Sequence, residues 1–81
     1  MKVVLDVEKM QTREAAHAHL KEMLELPEYY GRNLDALYDC LSDMDDVEVE
    51  VQHRENENNY IRKIWTVMEE AGVKFVSDFE I

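Results

Sequence analysis

Asp35, Asp39 and Asp43 recur at four-residue intervals, just after two adjacent tyrosines, Tyr29 and Tyr30. On a helix this spacing stacks three carboxylates along one side, because positions i, i+4 and i+8 project into one arc of the surface. Two chemistries follow from such a row. Fixed carboxylates accept charge-assisted hydrogen bonds from guanidinium, ammonium or imidazolium groups, so the row can receive a cationic partner. Alternatively, Asp35 and Asp39 could serve as an acid and base pair in a hydrolase of the glycosidase kind. That chemistry needs two environments that push the carboxyl pKa values apart, and nothing in this stretch separates them. The row also opposes helix stability. Like charges at i,i+4 cost roughly 0.2–0.5 kcal/mol per pair, and acids near the C-terminus meet the negative end of the dipole. Local losses of this kind are expected where a surface serves a partner, and tyrosine beside fixed charge is the usual makeup of an interface anchor. The plainer alternative is a solvated face on an acidic protein, with the tyrosine rings in the core.

The remaining chemistry-bearing residues point to no other site. A Cys40 nucleophile served by a histidine is conceivable, but Cys40 lies toward the flank of the same helix, where a buried thiol is inert. His17 and His19, two residues apart, face different directions on a helix, cannot share a metal as an i,i+4 pair could, and read as surface residues. His53 has no cysteine or carboxylate at a diagnostic spacing. Asp43-Met44-Asp45-Asp46 resembles the start of a calcium loop without its turn glycine or distant bidentate glutamate. No metal and no cofactor are expected.

Composition narrows the partner. Nineteen acidic against nine basic residues give a net charge of −10 over 81 residues. Phosphate binding depends on Lys and Arg, so nucleic acid is a poor partner and a basic protein a good one, drawn in by the negative field. The length suits one domain, residues 1–81, without repeats or linkers. With Cys40 alone there is no intrachain disulfide, which suits a reducing compartment, the cytoplasm by default. No apolar run approaches a membrane span, and Val3-Val4-Leu5 is too short for a signal-peptide core, so no membrane role is expected.

The elements that must hold the acidic row can be taken in order. Lys2 to Val7, apolar and β-branched, predicts a first strand inside a parallel sheet. Thr12 can cap a helix whose Ala16, Leu20, Met23 and Leu24 recur at helical spacing and which stops before Pro27. Pro27 cannot continue that helix, Gly31 permits a positive φ, and Asn33 can cap a helix from Leu34 to about Ser42 or Asp43. Its apolar face is expected to be Leu34, Leu37, Tyr38 and Leu41. Val47 to Val51 alternates strictly, a strand with one face buried. Gln52 to Asn59 reads as a polar loop, and Asn58 or Asn59 caps a helix with Ile61, Ile64, Trp65 and Met68 on its core side. Gly72 closes it, and Val73 to Ile81 alternates as a third strand. Helical crossovers between the strands predict a parallel sheet with its helices on one face, a two-layer α/β domain.

The stretch Leu26-Pro27-Glu28-Tyr29-Tyr30-Gly31, followed after Arg32 by Asn33-Leu34-Asp35-Ala36-Leu37, the aromatic Tyr38 and Asp39-Cys40-Leu41, resembles the signature of the barstar family of intracellular inhibitors of barnase-type ribonucleases. The resemblance implies a three-stranded sheet of order 1-2-3 and no enzymatic activity. It implies a role of the toxin-immunity kind, one to one, against a small basic secreted ribonuclease whose active site is occluded. It places Asp39 in the phosphate pocket, Asp35 against neighbouring cationic or guanine-recognition groups, and Tyr29 on an active-site histidine. Tyr30, Gly31 and Asn33 would surround the turn, and Tyr38, Ser42, Asp43 and Met44 would complete the contact surface. The family is itself the reference case for steered association and charged hot spots, so those ideas come with the resemblance. Arg32 stands where the family often has an acid, and Tyr38 where it has tryptophan. The connection after the second strand is too short for the family's extra small helix. The family's final-helix glutamate falls near Val67, with Glu69 and Glu70 close by, and Glu69 is the candidate. The rival reading is an acidic module for some other basic protein, which would use the same face.

Overall fold

In the computed structural model, which describes residues 1–76, the expected order of elements holds. Strand β1 (Lys2–Asp6) leads through a 3-10 turn (Val7–Lys9) to helix α1 (Arg13–Leu24); helix α2 (Leu34–Ser42) follows, then strand β2 (Glu48–Gln52). Helix α3 (Asn59–Glu70) and strand β3 (Lys74–Val76) complete the described chain. Each helix starts on a side-chain cap: Thr12 accepts from the Ala15 amide at 3.0 Å, Asn33 from Ala36 at 2.7 Å and Asn58 from Ile61 at 2.9 Å. The three strands are parallel in the order β1-β2-β3, with Val3 opposite Val49 and Val49 opposite Phe75.

One core joins the sheet to all three helices. Val3, Leu5 and Val49 from the strands, Leu20 and Leu24 from α1, Leu37 and Leu41 from α2, and Ile61, Ile64 and Met68 from α3 are buried together. Alternate strand residues Val4, Glu48 and Glu50 stay half-buried on the other side of the sheet, the pattern of helices packed on one face. This corrects the placement of β1, whose apolar run suggested an interior strand. It is an edge strand, and the alternating β2 lies in the middle, because a sheet covered on one face needs alternation even at its centre. Of the third strand expected over 73–81, Lys74–Val76 is seen, with Phe75 edge-to-face on the Trp65 ring at 5.6 Å. Residues 77–81 lie outside the described part.

Local chemistry departs from expectation in four places. Arg32 takes the left-handed conformation (φ 58), as Glu25 does at the end of α1 (φ 55), whereas Gly31 does not. Gly31 answers instead to close approach, since a Cβ there would meet the Ala36 Cβ at 3.3 Å. The polar connection contains one 3-10 turn (Arg54–Asn56) after a left-handed His53, and Glu57 accepts the Trp65 indole N–H at 2.8 Å. Finally, His17 and His19 are buried, not on the surface. Polar partners inside the fold reverse the surface reading. His17 lies between two tyrosine hydroxyls, and His19 Nε2 accepts the Asp6 amide at 3.0 Å.

Candidate partner-binding surface

Helix α2 sorts its residues by face as amphipathicity requires. Leu37 and Leu41 are wholly inside, while Asp35, Asp39, Ser42 and Asp43 are exposed. Tyr38, expected among the apolar contacts, is 42% exposed and stands on the solvent side with the acids. The Ser42 hydroxyl donates to the Tyr38 carbonyl at 2.8 Å and is thereby tied to the helix backbone. Among the described residues, no carboxylate of Asp35, Asp39 or Asp43 takes part in an ion pair or a side-chain hydrogen bond; the four ion pairs involve Glu28, Asp6 and Glu57. Three negative charges therefore face solvent uncompensated, on a helix locked to the core by its other side.

The turn before α2 supplies the aromatic. The Tyr30 amide donates to the Pro27 carbonyl at 3.0 Å, closing the turn and leaving Tyr29 85% exposed. Tyr29, Asp39, Asp43 and Met44 line a cleft of about 280 Å³ floored by Leu26 and Cys40, and Tyr29, Gly31 and Asp39 share a second of about 260 Å³. Glu25 also lines the first cleft. Sequence reasoning missed it, because its position depends on the left-handed turn that ends α1.

Tyr30 also lines the second of these clefts, yet it is only 5% exposed. Its hydroxyl lies 2.6 Å from His17 Nδ1, while His17 Nε2 lies 2.6 Å from the Tyr60 hydroxyl. An aromatic ring with a satisfied hydroxyl belongs in the interior. Tyr30 thus pins the turn to α1 and α3 and holds Tyr29 outward. Burial, then the charges of Arg13 and Arg32, push the His17 pKa below its ordinary value, and burial pushes the Tyr30 hydroxyl upward. Asn33 is committed to its cap. Glu69 is exposed on α3 and lines neither cleft beside Tyr29.

Two alternatives can be weighed on this geometry. The Cys40 thiol is pushed up by burial and further by Asp39 and Asp43, which keeps it from the thiolate form a nucleophile needs. His53 does find carboxylates, across the fold: its Nδ1 lies 2.8 Å from Asp6 Oδ1, and Asp6, Glu8 and His53 present ligand atoms within 4.8 Å of one another. The hydrogen bond to Asp6 raises the His53 pKa, and the same bond lowers that of Asp6. Their separation of 47 positions hid the pair from any spacing argument.

The comparisons with known proteins agree with one another. The family model described as barstar (barnase inhibitor) matches residues 1–79. The chain is 33% identical over 86 residues to the protein named "Putative ribonuclease inhibitor YrdF" of Bacillus subtilis (strain 168), a match spanning 99% of this chain and 94% of that one. No helix among the described residues is long and apolar enough to cross a membrane.

Proposed function

The chain belongs to the barstar family, and from that premise we propose that it inhibits a small, basic, guanyl-specific secreted ribonuclease by covering its active site. The observation that carries this reading is the set of three uncompensated carboxylates beside the exposed Tyr29. A ribonuclease site is a cationic cleft that binds scissile phosphates, and a carboxylate placed where a phosphate would sit receives the same charge-assisted hydrogen bonds. Asp39, which lines both clefts beside Tyr29, takes that role, and Asp35, one turn earlier, meets the neighbouring cationic groups. Tyr29 offers its ring to the imidazole of the nuclease, and Tyr38, Ser42, Asp43 and Met44 fill the surrounding contact. No bond is made or broken by the inhibitor.

Rigidity is part of the mechanism. With α2 capped and its far side buried, the carboxylates are already in position, so little ordering cost is left for association. Their mutual repulsion is relieved when the cationic partner arrives. In this reading the protein works in the cytoplasm as a monomer binding one nuclease. The test is cleavage of a fluorogenic RNA by a panel of small microbial ribonucleases in the presence of the chain. Tight one-to-one inhibition of at least one member is expected. Binding to a basic protein without loss of nuclease activity would favour a general acidic module, and turnover of a substrate by the chain alone would overturn the inhibitory reading.

A further inference from the structure

Only nine of the 81 residues are Lys or Arg, yet two of them, Arg13 at the start of α1 and Arg32 in the turn before α2, line one cleft of about 390 Å³ with Glu14, His17, Gly31 and Asn33. Neither guanidinium is within ion-pair distance of a carboxylate among the described residues, Glu14 included. Arg13 is held in place, its Cζ 5.4 Å from the centroid of the Tyr60 ring. The wall of this hollow thus carries two positive charges against one negative, on a chain whose net charge is −10. Gly31 lines both this cleft and the one it shares with Tyr29 and Asp39, so the cationic hollow adjoins the acidic surface through a single turn.

We propose that this cleft receives one carboxylate side chain, Asp or Glu, from the partner ribonuclease, and that this contact of reversed polarity selects among nucleases. The inference rests on the inhibitory reading above and deepens it. A guanidinium presents forked donors that match a carboxylate, and two arginines line this cleft. An RNA phosphate has related chemistry, but it would have to approach beside Asp35, Asp39 and Asp43, which repel it. A basic protein that covers Tyr29 and Asp39 is instead carried to the rim of the cleft by its attraction to those same acids. A nuclease with a neutral or basic residue at that point gains nothing from the cleft.

Long-range attraction and this local contact make opposite predictions, which decides the test. Replacing both arginines, R13Q/R32Q, takes the net charge from −10 to −12, so steering alone would leave the inhibition constant unchanged or lower it against a basic nuclease. The cleft contact predicts a rise of about tenfold, carried by faster dissociation, against whichever panel member the parent chain inhibits best. A control that removes the same charge outside the cleft, K9Q/K63Q, should not loosen the complex. An alanine scan of the surface acids of that nuclease should find one whose loss weakens the parent complex and leaves the R13Q/R32Q complex unaffected. An unchanged or lower inhibition constant for R13Q/R32Q overturns the proposal while leaving the inhibitory reading intact, as does binding of a short RNA oligonucleotide that R13Q/R32Q abolishes. Failure of the parent chain to inhibit any member removes the inhibitory reading and this one with it.

Discussion

An interface gains most from a carboxylate that has no partner of its own and cannot turn away. Asp39 is unpaired among the described residues, and its backbone is anchored on α2 midway between the buried Leu37 and Leu41. Asp39→Ala should therefore raise the inhibition constant at least about thirtyfold, the roughly 2 kcal/mol that marks a hot-spot side chain, for which the barstar family is itself a reference case. The fluorogenic assay checks it, and an unchanged constant would remove Asp39 from the centre of the interface. The matched control is Glu55→Ala, which removes an exposed acid from the 3-10 turn after β2. Glu57, two residues on in the same polar run, would be a poor control. Its carboxylate accepts the Trp65 indole N–H and the Arg54 side chain, so alanine there would strip a partner from a largely buried ring. Composition marks Glu55 and Glu57 as equals. What separates them is which one the chain brings over Trp65, and that information is absent from local sequence.

At the scale of elements, the turn before α2 is held by a hydrogen-bonded post running through α1, from Tyr30 through His17 to Tyr60. Tyr30→Phe keeps the ring and leaves His17 Nδ1 buried without its partner, a loss of about 1–3 kcal/mol that urea unfolding would register. A loss no larger than that of Tyr29→Phe, whose ring is exposed, would mean that the post bears nothing. The same burial sets a pH dependence. His17 and His19 have pKa values lowered in the folded chain, chiefly by desolvation. The unfolded chain therefore binds protons first, and stability falls as pH drops from the ordinary histidine value of 6.5 toward the lowered ones. His53 has the opposite sign. Its pKa is raised by Asp6, so its contribution is complete below 6.5 and lost as pH rises through the raised value. Melting temperature should fall on acidification through this window, less steeply in His17→Phe and more steeply in His53→Asn; a slope that neither variant changes would contradict the assignment. The elements themselves were legible in sequence because caps and periodicity are local: Thr12, Asn33 and Asn58 start the three helices where their side-chain chemistry allows. The acidic face of α2 was legible for the same reason. The burial of His17, His19 and Tyr30 was not, since each depends on a partner thirteen or more positions away.

For the molecule as a whole, net charge acts on association and on folding with opposite consequences. With ten more negative than positive charges, the free protein repels itself, most directly where Asp35, Asp39 and Asp43 stack on one helix and where Asp45 and Asp46 follow. The attractive pairs that salt would also weaken are few: the four ion pairs among the described residues all have an exposed or half-exposed member, and pairs of that kind contribute little. Repulsion should therefore dominate the response of the fold. Raising the ionic strength from about 0.01 to 0.15 M shortens the screening length from about 30 to 8 Å, so the urea midpoint of the isolated chain should rise. The same change should slow association with a basic nuclease, because the attraction that steers encounter acts over just those distances, while dissociation, governed by contacts within a few ångströms, should change far less. Stopped-flow association at the two salt concentrations, beside urea titrations of the free chain in the same buffers, reads both effects. If association proved indifferent to salt while the fold was stabilised by it, the acidity would be serving solubility alone, and the acidic row on α2 would lose its claim to guide a partner in.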